Sequence, residues 1–204
     1  MAQLPEILDL VMMELRRRID ESWDADETMP SADALDSPLG HLVTAFGLCT
    51  RGNETHKRLT RLTIFAARRA LPCWELYANN REPHQAIDAA QAWLLKGDEA
   101  YSLLELQKFS TPTAPSIHGA PLVGKQFTDT VLAGVAAAYA AELVMSADAI
   151  TAAYGLSAAD KAFDLSPIGK GRALYRQWLL DVAVPAAYAQ RELTKEELGN
   201  PPAV

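Results

Sequence analysis

The stretch Arg61–Gly97, RLTIFAARRALPCWELYANNREPHQAIDAAQAWLLKG, decides the fold. Leu62, Phe65, Ala66, Arg69, Ala70, Cys73 and Trp74 recur at helical spacing, and Ile87, Ala90, Trp93 and Leu94 do so again after a polar break at Asn79-Asn80-Arg81-Glu82-Pro83. Pro83 suits a first helical turn, where its missing N–H costs no bond. Gly97 suits the position after the last turn, where the backbone must take a positive φ. The stretch therefore reads as a helical hairpin with Phe65, Trp74, Ile87 and Trp93 facing in.

Upstream, Asn53 is a ready cap for a helix from about Glu54 to Tyr77, and Pro72 inside it predicts a kink about one turn back. Leu39–Cys49 reads as a short helix with Leu42, Val43, Phe46 and Cys49 inward. Residues 5–23 form the first helix, with Ile7, Leu8, Val11, Met12, Leu15 and Ile19 in one apolar stripe. Arg16, Arg17 and Arg18 sit where positive charge offsets the helix dipole. Between these helices Asp20, Glu21, Asp24, Asp26 and Glu27 crowd together, and Met29-Pro30 and Ser37-Pro38 break regular structure.

Downstream, a third helix follows Gly97 through Tyr101, Leu104, Leu106 and Phe109. The segment STPTAPSIHGAPLVG, residues 110–124, is a loop carrying His118. Residues 125–153 form an alanine-rich helix that Gly155 ends, and Ser157 caps a short helix over Ala158–Phe163. The last helix runs from about Lys170 to Leu193, with a kink or break at Pro185. A frayed tail follows from Thr194 to Val204. No segment alternates like a half-buried strand. The expected fold is all-α: a single-domain bundle of six to eight helices with long irregular loops. Residues 1–38 supply an N-terminal helix and acidic loop, 54–193 the core bundle, and 194–204 a flexible tail.

The totals agree. A chain of 204 residues, 49% apolar and 22% charged, supports one good core. Its net charge of -7 argues against nucleic acid as a direct partner and favours a basic partner or plain solubility. No window of about 18 uninterrupted apolar residues exists to span a membrane. The N-terminus lacks the basic leader of a signal peptide, so the expected compartment is the cytosol. Cys49 and Cys73 lie in apolar helical patterns and read as buried thiols.

No catalytic, cofactor-binding or metal-ligating set emerges. There is no GxGxxG or GxxxxGK[ST], and Gly169-Lys170-Gly171-Arg172 reads as a turn and helix start. His41, His56, His84 and His118 lack the spacing of a paired metal site. His56 and His84 read as exposed helix-start residues, and His118 as solvent-facing. Glu75 and Asp88 read as salt-bridge partners of Arg68, Arg69 or Arg81. Trp74 and Trp93 can meet across the hairpin.

The segments Ala66-Ala67-Arg68-Arg69-Ala70-Leu71-Pro72-Cys73-Trp74-Glu75, Arg81-Glu82-Pro83 and Ala86-Ile87-Asp88-Ala89-Ala90-Gln91-Ala92-Trp93, up to Gly97, resemble the Imm5-like immunity proteins of bacterial polymorphic toxin systems. The likeness covers about forty residues, with a looser fit at Arg172–Leu180. It departs in the order Leu-Pro-Cys-Trp-Glu, where the family has its cysteine before Leu-Pro. The first sixty or so residues look like an extension. The resemblance implies an all-helical cytosolic protein, not an enzyme, that binds and neutralises a cognate toxin and needs no cofactor. An acidic inhibitor would suit a toxin with a basic surface. Candidate contacts are Asp20, Glu21, Asp24, Asp26 and Glu27 in the acidic loop, Asn80, Arg81 and Glu82 in the hairpin turn, and His118 in the proline-rich loop. Two alternatives stand beside it. One is a bundle enzyme or ligand binder with His118, Cys73, Glu75 or Arg69 in a cleft. The other is an oligomeric scaffold using the small residues of 133–141.

Overall fold

The computed structural model describes residues 4–20, 23, 32–76, 78, 80–100, 103–109, 125–163 and 171–199. Among them every regular element is helical: α1 (Glu6–Arg17), α2 (Pro38–Thr44), α3 (Glu54–Glu75), α4 (Glu82–Lys96), α5 (Leu103–Phe109), α6 (Lys125–Ser146), α7 (Ala149–Lys161), α8 (Arg172–Trp178), α9 (Val184–Tyr188) and α10 (Lys195–Leu198). Short 3₁₀ turns lie at Ala32–Asp36 and Gly97–Glu99, and a π-helical turn, Leu179–Ala183, joins α8 to α9. The chain is an all-α, multi-helix single domain around one hydrophobic core. No helix among the described residues is long and apolar enough to cross a membrane.

The hairpin forms the centre. Asn53 accepts the backbone N–H of His56 at 2.7 Å and starts α3. Every residue from Leu59 to Ala67 is buried, so α3 is enclosed on all sides at its middle. Pro72 lies in its last turns without ending it. Gly97 closes α4 with φ at 68°. Phe65, Trp74, Ile87 and Trp93 are all buried. The two tryptophans nevertheless pack on different neighbours. Trp93 lies against the His56 ring, with centroids 4.5 Å apart, and Trp74 lies over Gly134 of α6.

α6 packs along α3 and α4, and α7 packs against α3 and α6. Alanine permits this. Ala133, Ala136, Ala137, Ala140 and Ala141 are almost wholly buried, and their small side chains let three helix backbones approach. Here the structure corrects the sequence reading. The alanine-rich helix ends at Ser146, not Gly155. Ala147 takes φ of 50°, and the Asp148 side chain accepts the Ile150 N–H to start α7. Gly155 sits inside α7, where an added Cβ would meet Tyr139 Cβ at 3.2 Å and Thr63 Cγ2 at 3.4 Å. It is a packing glycine rather than a terminator. Ser157, read as a cap, is buried in the same helix.

Other boundaries also differ. α2 ends at Thr44, and Gly47 takes φ of 101° three residues on, so Cys49 lies beyond the helix. The last long helix begins at Arg172 and ends at Tyr188. The part of the tail described is not frayed. The Thr194 hydroxyl accepts the Glu197 N–H, and the Glu197 carboxylate accepts the Thr194 N–H, a reciprocal cap that starts α10. The Glu197 carboxyl is held down at about 2, first by Arg191 and then by the Thr194 N–H. The expected loop at 110–124 lies outside the described residues.

Candidate functional site

α1 is attached to the body by one face only. Leu8, Met12 and Leu15 are buried, each contributing about 1.5–3 kcal/mol of apolar burial. A second row on the same helix points outward. Ile7, Leu10 and Met13 are 62%, 52% and 47% exposed and lie three residues apart on adjoining turns. Ile7 was expected in the inward stripe; the helix instead turns Leu8 and Met12 to the core and leaves Ile7 in solvent.

Acidic residues border this row. Glu6, Asp9, Glu14 and Asp20 are exposed on α1 and just after it. The neighbouring arginines are already engaged: Arg16 pairs with Asp181 at 2.9 Å, and Arg17 pairs with Glu14 at 3.2 Å. Glu6, Asp9 and Asp20 form no ion pair among the described residues. The helix thus presents an apolar row with a negative border. Asp20 continues that border toward the acidic stretch; Glu21, Asp24, Asp26 and Glu27 lie outside the described residues, as does His118.

α1 is held at its far end by a buried polar cluster. Arg176 grips Asp160 with Nε and Nη2 and donates from Nη1 to the Ile19 carbonyl at 3.0 Å. Its guanidinium also lies 4.7 Å from the Trp23 ring centroid. The Trp23 N–H in turn donates to the Arg18 carbonyl at 2.8 Å. Tyr175, stacked on Phe163, is buried beside this pair, and its hydroxyl makes no hydrogen bond. Burial first, then the Asp160 charge, drives the Tyr175 phenol well above its ordinary range.

The hairpin candidates occupy a second place. The Asn80 carbonyl accepts the Trp74 indole N–H at 3.2 Å, while Arg81 and Glu82 are exposed at the start of α4. Asn80 is therefore bound into the turn, and Arg81 and Glu82 are its outward groups. Glu75 pairs with His84 at 2.9 Å rather than with Arg68, Arg69 or Arg81. A shallow hollow, about 240 Å³ including its open mouth, is lined by Trp74, Glu82, Pro83, Ala86, Phe109, Gly134 and Ala138.

Of the residues named for a catalytic cleft, the described ones, Arg69, Cys73 and Glu75, do not line this hollow. The Arg69 side chain donates to the Leu198 carbonyl and lies by the Trp178 ring. Cys73 is buried, with its carbonyl accepting the Thr130 hydroxyl at 3.4 Å. Cys49 is a free thiol, and burial, followed by the Asp148 charge, pushes it up to about 11. That is the opposite of an activated nucleophile. No group of three or more His, Cys, Asp or Glu side chains among the described residues is arranged to hold a metal ion.

His56 is the largest departure from expectation. It is fully buried, not an exposed helix-start residue. Its Nε2 donates to the Leu143 carbonyl of α6 at 2.8 Å, and its Nδ1 accepts the Gly52 N–H at 3.0 Å. Those two bonds fix the neutral ring with its proton on Nε2. Burial foremost lowers its pKa, against the pull of the Leu143 carbonyl.

Comparison with protein-family models, with curated proteins and with solved structures finds no match to this chain.

Proposed function

We propose that the protein is a stoichiometric binder that neutralises a cognate bacterial toxin, with the outer face of α1 as its principal contact. The observation that carries the reading is the Ile7–Leu10–Met13 row, exposed and bordered by Glu6, Asp9 and Asp20. Contiguous apolar side chains in water are a cost that a bound partner removes. Apolar anchors ringed by charge are the usual anatomy of a protein interface. The acidic border favours a partner with a basic surface and speeds encounter with it. The likeness of residues 66–97 to immunity proteins supports the toxin as the partner class. The acidic stretch at 20–27 extends the same negative region in sequence.

The test is protection. Co-expression with the toxin encoded by the adjacent gene should restore growth, and the two proteins should co-purify at one to one. Leu10→Asp with Met13→Asp should abolish both while leaving the unfolding midpoint within a degree or two, since neither residue packs in the core. Failure of the wild-type chain to protect against that toxin ends the proposal.

A further inference from the structure

An acidic chain carries an unusual concentration of arginine on its central helix. Arg58, Arg61, Arg68 and Arg69 all lie on α3, in a protein with net charge -7. The segment after α9 runs along this helix. Gln190 bonds to Glu54, Glu192 meets Arg61 and Arg68, and the Leu198 carbonyl accepts from Arg69. The middle contact differs from the other two. Glu192 Oε1 accepts from Arg61 Nε at 3.2 Å and from Gln91 Nε2 of α4 at 3.3 Å, and its Oε2 lies 3.9 Å from Arg68 Nη1. Donors from two helices converge on one carboxylate supplied by non-helical chain.

That carboxylate fills the place incompletely. Arg61 is 8% exposed, yet its Nη1 is sealed from solvent and makes no hydrogen bond. The structural ion pair of the same molecule looks different: Arg176 holds Asp160 by two donors at 2.9 and 2.8 Å, with both side chains buried. Glu192 is half exposed, so water reaches its outer side. Two guanidinium charges, Arg61 and Arg68, face one carboxylate charge. A doubly charged oxyanion balances them better and offers more acceptor oxygens to guanidinium donors.

We propose that Arg61, Arg68 and Gln91 form a binding site for a phosphate-type dianion, occupied in this conformation by the chain's own Glu192 side chain. Exchange requires only that Glu192 rotate outward. The neighbouring anchors, Arg191 to Glu197 and the Trp178 N–H to the Glu197 carbonyl, hold the segment in place meanwhile. This site is separate from the α1 face and does not depend on the toxin-binding reading.

Calorimetric titration of the full chain with inorganic phosphate tests it. Glu192→Gln should bind phosphate at least about tenfold more tightly than the wild type, because the competing charge is gone. Arg68→Met added to Glu192→Gln should remove that gain, and Arg68 is exposed enough that its loss should not unfold the chain. Acetate should gain less than about threefold in Glu192→Gln. A Glu192→Gln protein that binds phosphate no better than the wild type overturns the site. A gain that survives Arg68→Met overturns it too, and an equal gain for acetate overturns its preference for a dianion.

Discussion

Arg176 holds Asp160 by two parallel hydrogen bonds, Nε to Oδ1 at 2.9 Å and Nη2 to Oδ2 at 2.8 Å, and neither side chain is more than 3% exposed. The pair joins α7 to α8, and Nη1 of Arg176 reaches back to the Ile19 carbonyl beyond α1. Removing one partner breaks a buried, doubly hydrogen-bonded pair whose carboxylate also lies 3.7 Å from Arg172 Nε. Asp160→Ala and Arg176→Met should each lower unfolding free energy by about 3–5 kcal/mol in urea titrations. Asp160→Leu combined with Arg176→Met should cost much less than the sum of the two. Single losses under about 1 kcal/mol would contradict a buried pin.

Gly134 gives a sharper steric test. A Cβ there would sit 2.7 Å from Trp74 Cζ3 and 3.0 Å from Cε3. Alanine favours a helix by up to about 1 kcal/mol over glycine. The overlap should outweigh this, so Gly134→Ala should destabilise by about 1–3 kcal/mol. Paired with Trp74→Leu, the same change should cost less than it does alone. Purely additive effects in that double-mutant cycle would mean that the ring and the glycine are not coupled.

His56 should make stability depend on pH near neutrality. Its pKa in the fold is below the 6.5 of an exposed histidine. The unfolded chain therefore takes up a proton at a higher pH than the folded one. Its contribution is complete above pH about 6.5 and is lost as pH falls from there through the folded value. Protonation would place a second ring proton against the Gly52 N–H. Urea midpoints should fall between pH about 7.5 and about 5.5, and His56→Gln should flatten that fall. An equal slope in both proteins would assign it to groups other than His56, and Glu142 is not one of them. Burial raises the Glu142 pKa above 4.5, so its contribution is complete below 4.5 and is lost as pH rises through its folded value, the opposite slope.

Much of the helical framework was readable from local chemistry. Asn53, Pro83 and Gly97 bracket the hairpin helices as their backbone preferences require. Gly155 misled because a glycine that ends a helix and one that admits a neighbouring helix look alike in a single chain. The distinction rests on Thr63 and Tyr139, which belong to other elements. The actual break did leave a local signal in Asp148, a good capping residue. His56 left none: its acceptor, the Leu143 carbonyl, lies 87 residues away.

The candidate surfaces follow the same division. Acidic crowding at residues 20–27 is visible in composition alone. The outward row on α1 was not, because Ile7 also fits the inward period, and only the docked angle of the helix decides which side meets water. The seat of Glu192 could not be anticipated from spacing, since Arg61 is 131 residues distant.

The π-helical turn at Leu179–Ala183 bears on how this chain tolerates changes of length. Such a turn holds one residue more than the α-helix around it. Tyr175, Trp178 and Leu179 are buried at its start, and Val184, Ala186 and Ala187 are buried after it. Deleting a residue elsewhere in this helix would rotate everything downstream by about 100° and carry that face into solvent. Deleting one within residues 179–183 instead closes the turn to an ordinary α-helix and keeps the face in phase. The wide turn therefore marks the place where this helix can lose a residue and still seat both halves in the core.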